Sequence, residues 1–393
     1  MQPLKEFLPF SKPEIGEDEI AEVADTLRSG WITTGPKAAR FEKDFAEYLG
    51  VKHALAVASA TAGLHISYMA LGVKPGDEVI TTPMTFACTL SMLLLLGATP
   101  VLVDIDKETG NIDPRLIEQA VTSRTVGIVP VHYAGQPVDI DAIRKIADAH
   151  GLWVMEDAAH AAGAAYKGKT IGSHSEIVNF SFHPIKNMTT GEGGLIATND
   201  GALATRLQRL RFHGMDKNAF DRYDKKGALH YSIVEPGYKY NFMDIQAAIG
   251  IHQLRKLDAM NAARTKLAAH YDQLFSGFKG IRPLGRVGYD IKHSWHLYVV
   301  VVESENHGID RDSVMLELKE RNIGSSVHFR AAHLHPFTEG RVAARPGDLP
   351  NAEYLSDRII SIPFYPSMPH ETAGVVVEAL SEIIGGKRLV AGI

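Results

Sequence analysis

One lysine follows an apolar stretch that predicts a buried strand. It is Lys186, within "SFHPIKNMTTGEGG", which runs from Ser181 to Gly194. Lysine is ordinarily a solvated surface residue. Where a lysine is partly buried its neutral amine is favoured, and the neutral amine is a nucleophile toward carbonyl groups. A loop lysine in solvent is the alternative, and position alone leaves both open.

Two further features lie at the ends of other predicted strands. Asp157 follows the apolar strand in "LWVMEDAAHAAG", where an acid is either a helix N-cap or a functional carboxylate. In "VASATAGLH" a strand ends in small residues and a helix begins near Thr61. Small residues let a ligand approach the backbone, and a helix N-terminus offers free N–H groups to an anion. Each feature alone is a weak signal.

Together, the three features match the requirements of pyridoxal 5'-phosphate (PLP). Lys186 would bond to the aldehyde carbon of the cofactor. Asp157 would pair with the pyridinium nitrogen and keep it protonated, so that the ring can accept electrons. The phosphate group would lie on the helix N-terminus.

The elements that must position these residues alternate along the chain. Apolar strands such as "HALAVAS", "DEVITTP", "VGIVPV" and "IVNFSF" are separated by helical stretches. This pattern predicts an α/β domain with a mostly parallel central sheet, which binds its ligands at the carboxyl ends of the strands. Before the first strand, Ile20, Val23 and Leu27 have helical spacing, and a second helix begins at Pro36.

We predict two domains. Residues 1–250 would form the large cofactor-binding domain, with an N-terminal segment that is free to pack elsewhere. Residues 251–393 would form a smaller C-terminal α+β domain, because a strand in "SWHLYVVVVE" is followed by helical stretches such as "RDSVMLELKERN".

Composition narrows the class of protein. The chain has 393 residues, is 45% hydrophobic and 22% charged, and carries a net charge of −5. The absence of a Lys/Arg block disfavours nucleic acid or an anionic membrane as a partner. Apolar stretches are too short to span a membrane and the N-terminus has no signal pattern, so we expect a cytoplasmic protein. The single cysteine, Cys88, excludes an intramolecular disulfide and is expected at a core position.

Two patterns imitate other kinds of site. "GAAYKGKT", residues 163–170, fits the phosphate-loop pattern, but no helical period follows it, and we interpret it as a surface turn. The histidine clusters "HSWH" and "HFRAAHLH" have no carboxylate at a known ligand spacing, so we expect no metal site.

The chain closely resembles the DegT/DnrJ/EryC1/StrS family of PLP-dependent nucleotide-sugar aminotransferases. Motifs in the same order over nearly the whole chain carry the resemblance: "SGWITTGPKAARFE", "VASATAGLH", "GDEVITTPMTF", "PVHYAGQPVDID", "EDAAHAAGA", "SFHPIKNMTTGEGG", "GYKYNFMDIQAAIG" and "VHFRAAH". The resemblance implies PLP-dependent transferase fold type I and a homodimer with shared active sites. Some relatives are dehydratases with histidine in place of the lysine, so Lys186 favours transamination.

The resemblance also implies roles for individual residues. Lys186 would be the catalytic lysine that bonds to the cofactor, and Asp157 the pyridinium partner. The other cofactor-binding residues would be Ala60, Thr61 and Ser181 at the phosphate, Phe86 on the ring, His160 near the phenolic oxygen, and Asn241 at the phosphate of the neighbouring subunit's cofactor. Substrate contacts would come from Trp31, Thr33, His183, Lys239 and His328. The alternatives are that Phe86 is a core residue, that Ser181 only bonds its own strand, and that Lys239 is solvated.

Finer motifs indicate a substrate. "HYAGQPVDIDAI", "GYKYN" and "HFRAAH" are similar to those of family members that aminate a UDP-linked 4-keto-arabinose. This implies transfer of an amino group from L-glutamate, which becomes 2-oxoglutarate, to the C4 ketone of a UDP-linked 4-keto sugar in lipopolysaccharide or surface glycan biosynthesis. A 4-keto-6-deoxyhexose stays open because one methyl group changes binding by only about 1–3 kcal/mol. A PLP-dependent sugar dehydratase is the other alternative.

Overall fold

The computed structural model describes residues 2–216 and 231–385. Its α-helices are α1 (Glu17–Ser29), α2 (Pro36–Leu49), α3 (Ala60–Ala70), α4 (Cys88–Leu95), α5 (Ile140–His150), α6 (Gly201–Leu210), α7 (Asp244–Leu274), α8 (Arg311–Glu320), α9 (Pro350–Arg358) and α10 (His370–Gly385). Its strands are β1 (His53–Val57), β2 (Glu78–Thr81), β3 (Thr99–Leu102), β4 (Thr125–Val129), β5 (Trp153–Asp157), β6 (Ala165–Tyr166), β7 (Lys169–Thr170), β8 (Ile177–Ser181), β9 (Gly194–Thr198), β10 (Ile281–Pro283), β11 (Ile291–Lys292), β12 (Val299–Val302) and β13 (Ile359–Ser361).

A seven-stranded sheet in the order β1-β9-β8-β5-β4-β2-β3 organises the larger part of the molecule. The strands from β3 to β8 in this order are paired in parallel, which confirms the prediction of a mostly parallel sheet. β9 is antiparallel to both of its neighbours, β1 and β8. β9 was not predicted, because "GLIAT" is short and directly follows glycines that are typical of a turn.

Helices on both faces of this sheet explain its apolar strands. A strand covered on both sides reads as a continuous apolar run, and β2, β8 and β9 are buried at every position. On one face α2 buries Phe41, Phe45 and Leu49 at helical spacing. The pairing of β5 with β8 sets Asp157 opposite Asn179, so the carboxyl ends of these two strands lie side by side.

The helix α1 packs against α7 through polar residues. Glu19 accepts a hydrogen bond from the Gln253 side chain of α7 at 2.8 Å and is buried. In contrast, Ile20 and Leu27 are 53% and 56% exposed. The apolar spacing that predicted this helix therefore marks a face that the described part of the chain leaves uncovered.

A second core lies beyond the sheet. β10, β12 and β13 form a three-stranded antiparallel sheet that packs with α8 and α10. Leu8 of the N-terminal segment joins this core and pairs with Ile323. α7 contributes to both cores, with Ile251 in the first and Tyr271 in the second. The predicted domain boundary falls inside α7, and the division into two domains stays a prediction.

The phosphate-loop pattern is a surface turn, as predicted. β6 and β7 pair in antiparallel fashion across Lys167 and Gly168, which have φ of 47° and 77°. Among residues 2–216 and 231–385, no helix is long and apolar enough to cross a membrane. The same residues contain no group of three or more His, Cys, Asp or Glu that could hold a metal ion.

Candidate active site

A cavity of about 470 Å³ opens at the carboxyl ends of β5 and β8. This is where sheets of this kind bind their ligands. Most of the residues predicted for the site line the cavity, namely Ala60, Thr61, Phe86, Asp157, His160, Ser181, His183, Lys186 and His328.

Lys186 lies in the loop between β8 and β9. Its backbone N–H donates to the carbonyl of His183 at 2.9 Å, which closes a tight turn. Its side chain borders the cavity but is otherwise surrounded by protein, and this burial lowers the pKa of the amine to about 8, with the nearby Asp157 opposing the shift. A neutral amine, which nucleophilic attack requires, is therefore accessible near neutral pH.

Asp157 is the last residue of β5 and is followed by β6, so it does not cap an α-helix. The Ala159 backbone N–H donates to its Oδ1 at 3.1 Å, and the Thr89 hydroxyl donates to its Oδ2 at 3.0 Å. Burial raises the pKa of Asp157, while these two donors and the charge of Lys186 oppose the rise. The two donors hold the carboxyl group in place and favour its ionised form against the effect of burial.

The N-terminus of α3 borders the same cavity. The Ser59 hydroxyl accepts the N–H of Ala62 at 3.1 Å, and the Ser59 carbonyl accepts the N–H of Gly63 at 3.0 Å. Within the described residues, this leaves the N–H groups of Ala60 and Thr61 for a ligand. Two free N–H groups at the positive end of a helix dipole suit an anion such as phosphate.

Ser181 and Phe86 complete the wall of the cavity. Ser181 ends β8, and its hydroxyl accepts the N–H of His183 at 3.5 Å. Phe86 is 61% exposed because its ring borders the cavity. The alternative that Phe86 is a core residue is therefore wrong. An exposed aromatic ring at a cavity edge suits stacking on a planar ligand.

Three buried histidines lie beside the cavity. Burial and the charge of Lys186 lower the pKa of His328 to about 4, and they lower the pKa values of His160 and His296 well below 6.5. All three rings are therefore neutral near pH 7. Nδ1 of His160 accepts the N–H of Ala134 at 3.3 Å, so the ring proton of His160 resides on Nε2. His160 can thus donate a hydrogen bond to a ligand oxygen.

Four predicted residues lie outside the cavity lining. Three of them form what we call the Thr34 cluster: Trp31 Nε1 donates to the Thr34 carbonyl at 3.1 Å, and Asn241 Nδ2 donates to Thr34 Oγ1 at 2.7 Å. Lys239 Nζ donates to Asn241 Oδ1 at 2.6 Å, and Lys239 is exposed, so the alternative of a solvated lysine stays open. Thr33 is exposed next to this cluster. A single chain does not bring these residues to Lys186.

Comparison with known proteins decides the family, since residues 13–381 match the DegT/DnrJ/EryC1/StrS aminotransferase family. The chain belongs to this family. It is 46% identical to the spore coat polysaccharide biosynthesis protein SpsC of Bacillus subtilis (strain 168) over 388 residues, which are 98% of this chain and 99% of SpsC.

Solved structures agree with this assignment. The PLP form of the putative sugar aminotransferase Spr1654 from Streptococcus pneumoniae superposes with a TM-score of 0.88 at 33% identity, covering 96% of this chain and 99% of that one. DesI, solved in the presence of its TDP-sugar product, gives a TM-score of 0.85 at 31% identity, covering 100% of this chain and 95% of that one. The predictions of family, fold type and PLP dependence are confirmed, and the chain is a PLP-dependent sugar aminotransferase.

The cavity of this sugar aminotransferase fits PLP. The cofactor needs an amine, a partner for its ring nitrogen, an anion site and a flat apolar contact. The cavity offers Lys186, Asp157, the free N–H groups at the start of α3, and Phe86 in these four roles. Each of the four groups that PLP requires therefore has a matching group in the cavity.

α7 holds the lysine loop of the aminotransferase from behind. The Asn187 side chain donates from Nδ2 to Asn261 Oδ1 at 2.8 Å. Asn261 in turn donates from Nδ2 to the carbonyl of Ala162, in the turn that follows Asp157, at 2.9 Å. Both asparagines are buried, so one pair of amides ties the loop of Lys186 to the turn of Asp157.

Several lining residues of the aminotransferase site were not predicted, namely Ser59, Thr85, Cys88, Ser326 and Phe329. Cys88, which was expected in the core, is the first residue of α4; it is partly buried, packs against a core cluster and also borders the cavity. Ser59 carried a signal, since a serine before a helix is a typical N-cap. Thr85 and Cys88 could have been inferred only from their closeness to Phe86 in sequence.

Proposed function

We propose that this sugar aminotransferase moves the amino group of L-glutamate to the C4 ketone of a UDP-linked 4-keto sugar, with a 4-keto-arabinose type favoured. The observation that carries the proposal is the convergence of Lys186, Asp157 and the α3 N-terminus on one cavity. The sugar class comes from the resemblance of "HYAGQPVDIDAI", "GYKYN" and "HFRAAH" to the motifs of 4-keto-arabinose aminotransferases. The expected cytoplasmic location is part of the same proposal.

Different residues of the cavity bind different parts of the cofactor. PLP, when bound, supplies an aldehyde for amine exchange and a ring that accepts electrons. Asp157 holds the ring nitrogen, and Ala60, Thr61 and Ser181 hold the phosphate. Phe86 covers one face of the ring, and the Nε2–H of His160 donates to the phenolic oxygen.

Lys186 carries the proton transfers. Nζ of Lys186 accepts the proton from Cα of the amino donor, and it later delivers a proton to C4 of the sugar. A pKa of about 8 suits both directions, since the amine is neither strongly basic nor strongly acidic near neutral pH. His183 and His328, which also border the cavity, are proposed to contact substrate.

We propose that the working unit is a homodimer. The exposed apolar side chains of Ile20 and Leu27 on α1, with Ile32 and Met243 next to the Thr34 cluster, form an apolar surface suited to burial by a second copy. Asn241 lies outside its own cavity, as a residue that serves the neighbouring subunit's phosphate would. Trp31, Thr33 and Lys239 would then contact the substrate of the neighbouring site.

A second candidate substrate is a 4-keto-6-deoxyhexose linked to another nucleotide. DesI, 31% identical to this chain, was solved with a TDP-sugar product. The name of SpsC, a spore coat polysaccharide biosynthesis protein, supports a role in a surface glycan. A dehydratase is less favoured, because Lys186 is present and borders the cavity.

Spectroscopy with purified protein tests the proposal. The wild type should bind PLP with an absorbance band that borohydride abolishes and glutamate bleaches, and UDP-4-keto-arabinose should restore the glutamate-bleached band. Lys186→Ala should lose the band and turnover, and Lys186→Arg, which keeps a cation, should lose both as well. A panel of UDP- and dTDP-linked 4-keto pentoses and hexoses identifies the substrate. A band that glutamate leaves unchanged would refute amino transfer.

A further inference from the structure

The carboxylate of Asp157 depends on one side chain for a hydrogen bond. Among the described residues, that side chain is Thr89 of α4, whose Oγ1 lies 3.0 Å from Oδ2. Asp157 and Thr89 are 5% and 0% exposed, so water does not replace this bond. The rest of Thr89 is fixed too, since the buried hydroxyl of Tyr68 donates to its carbonyl at 3.0 Å.

A second threonine completes a chain of hydroxyl groups. Thr85 Oγ1 lies 2.8 Å from Thr89 Oγ1, and Thr85 borders the cavity one residue before Phe86. An ionised carboxylate only accepts hydrogen bonds, so the Thr89 hydroxyl must donate to Asp157. The Thr89 oxygen is then free to accept, and the Thr85 hydroxyl donates to it. The charge of Asp157 thereby orders both hydroxyl groups.

Other ionisable groups around Asp157 do not substitute for this chain. Lys186, Cys88, Tyr68 and His132 are close enough to interact electrostatically with it, and His160 lies on the turn that follows it. His132 bonds to Glu156 at 2.7 Å. None of these side chains forms a hydrogen bond with Asp157 in the described residues.

We propose that Thr89 is a positioning residue that keeps Asp157 ionised and turned toward the cofactor's ring nitrogen, and that Thr85 orders the Thr89 hydroxyl for this task. This inference rests on the role proposed for Asp157. A hydrogen bond to a charged acceptor contributes about ten- to hundred-fold to an equilibrium. Thr89 therefore governs PLP affinity without contacting PLP.

The test compares Thr89→Val, which has nearly the same shape, with Thr89→Ser, which restores the hydroxyl. PLP dissociation constants are measured from pH 5 to pH 9 by absorbance. Thr89→Val should weaken binding about ten- to hundred-fold near neutral pH. Since loss of the donor raises the pKa of Asp157, the pH at which binding is lost on the acid side should rise by about 1–2 units. Thr89→Ser should return both values toward wild type.

Two further variants keep the result decisive. Thr81→Val removes a buried hydroxyl that donates only to the Val129 carbonyl, so it should lower stability without moving the pH profile. Thr85→Val should shift the profile in the same direction as Thr89→Val but less, and it serves if Thr89→Val does not fold. If Asp157→Asn weakens binding but Thr89→Val and Thr85→Val leave the profile unchanged, the inference is wrong. If Asp157→Asn has no effect, the role proposed for Asp157 fails instead.

Discussion

Gly194, the first residue of β9, should tolerate no side chain. A Cβ at this position would lie 2.6 Å from the nitrogen of Ala60 and 2.7 Å from the carbonyl carbon of Ser59. Ordinary contact begins at 3.4 Å, so Gly194→Ala forces a displacement of about 0.8 Å between β9 and the start of α3. Both obstacles are backbone atoms, which cannot rotate away.

The displacement has two measurable costs. Overpacking of this kind lowers the free energy of unfolding by about 1–3 kcal/mol. The same movement shifts the N–H groups of Ala60 and Thr61, and each weakened bond to a charged phosphate oxygen is worth about 1.5–3 kcal/mol. We therefore expect PLP affinity to fall at least about tenfold. Denaturant unfolding of the cofactor-free protein measures the first cost, and PLP titration measures the second.

A matched control separates sterics from the loss of a glycine. Gly288 also lacks a positive φ, and a Cβ there would meet nothing within 4 Å. Gly288→Ala should change both quantities by less than about 0.5 kcal/mol. If Gly194→Ala behaves like this control, β9 does not constrain the start of α3 and the reasoning is refuted.

Two other predictions concern titration and assembly. Burial lowers the pKa of Lys186 to about 8, so PLP uptake by cofactor-free protein should become faster as the pH rises toward 8 and then level off. Stopped-flow absorbance measures this rate. A rate that is independent of pH from 6 to 10 would contradict the prediction. Leu27→Asp should shift the protein toward a monomer in sedimentation velocity, because it places a charge on the face of α1 that we propose is buried in the homodimer. Leu316→Asp, at a similarly exposed leucine on α8, should leave assembly unchanged.

Sequence reasoning correctly predicted which residues lie at or just beyond strand ends, while their chemical roles stay predictions. Asp157 ends the buried strand β5 and Lys186 follows the buried strand β8, and parallel pairing of these strands brings their carboxyl ends together. The start of α3 was equally readable, because small residues precede a helical period. These signals are local in the sequence, and the strand order of the sheet then brings the residues together in space.

The rest depended on tertiary contacts that leave no local pattern. Thr89 is one threonine within an apolar helix, and only the tertiary packing of α4 brings it to Asp157. The resemblance implied that Asn241 reaches the neighbouring subunit's cofactor and that Lys239 contacts substrate, but it did not predict the hydrogen bond between these two side chains. For α1, helical spacing predicted the helix, but spacing does not reveal whether its apolar face is covered.

The continuity of α7 limits how the enzyme can move. Its 31 residues supply side chains to both cores, so a hinge between the cores would have to bend this helix. Gly250 is the obvious candidate for a bend. Its missing side chain instead makes room for the ring of Phe41, which would lie 2.7 Å from a Cβ there. We therefore expect any opening and closing of the site around a sugar to come from loops that α7 does not hold, and not from a hinge within α7.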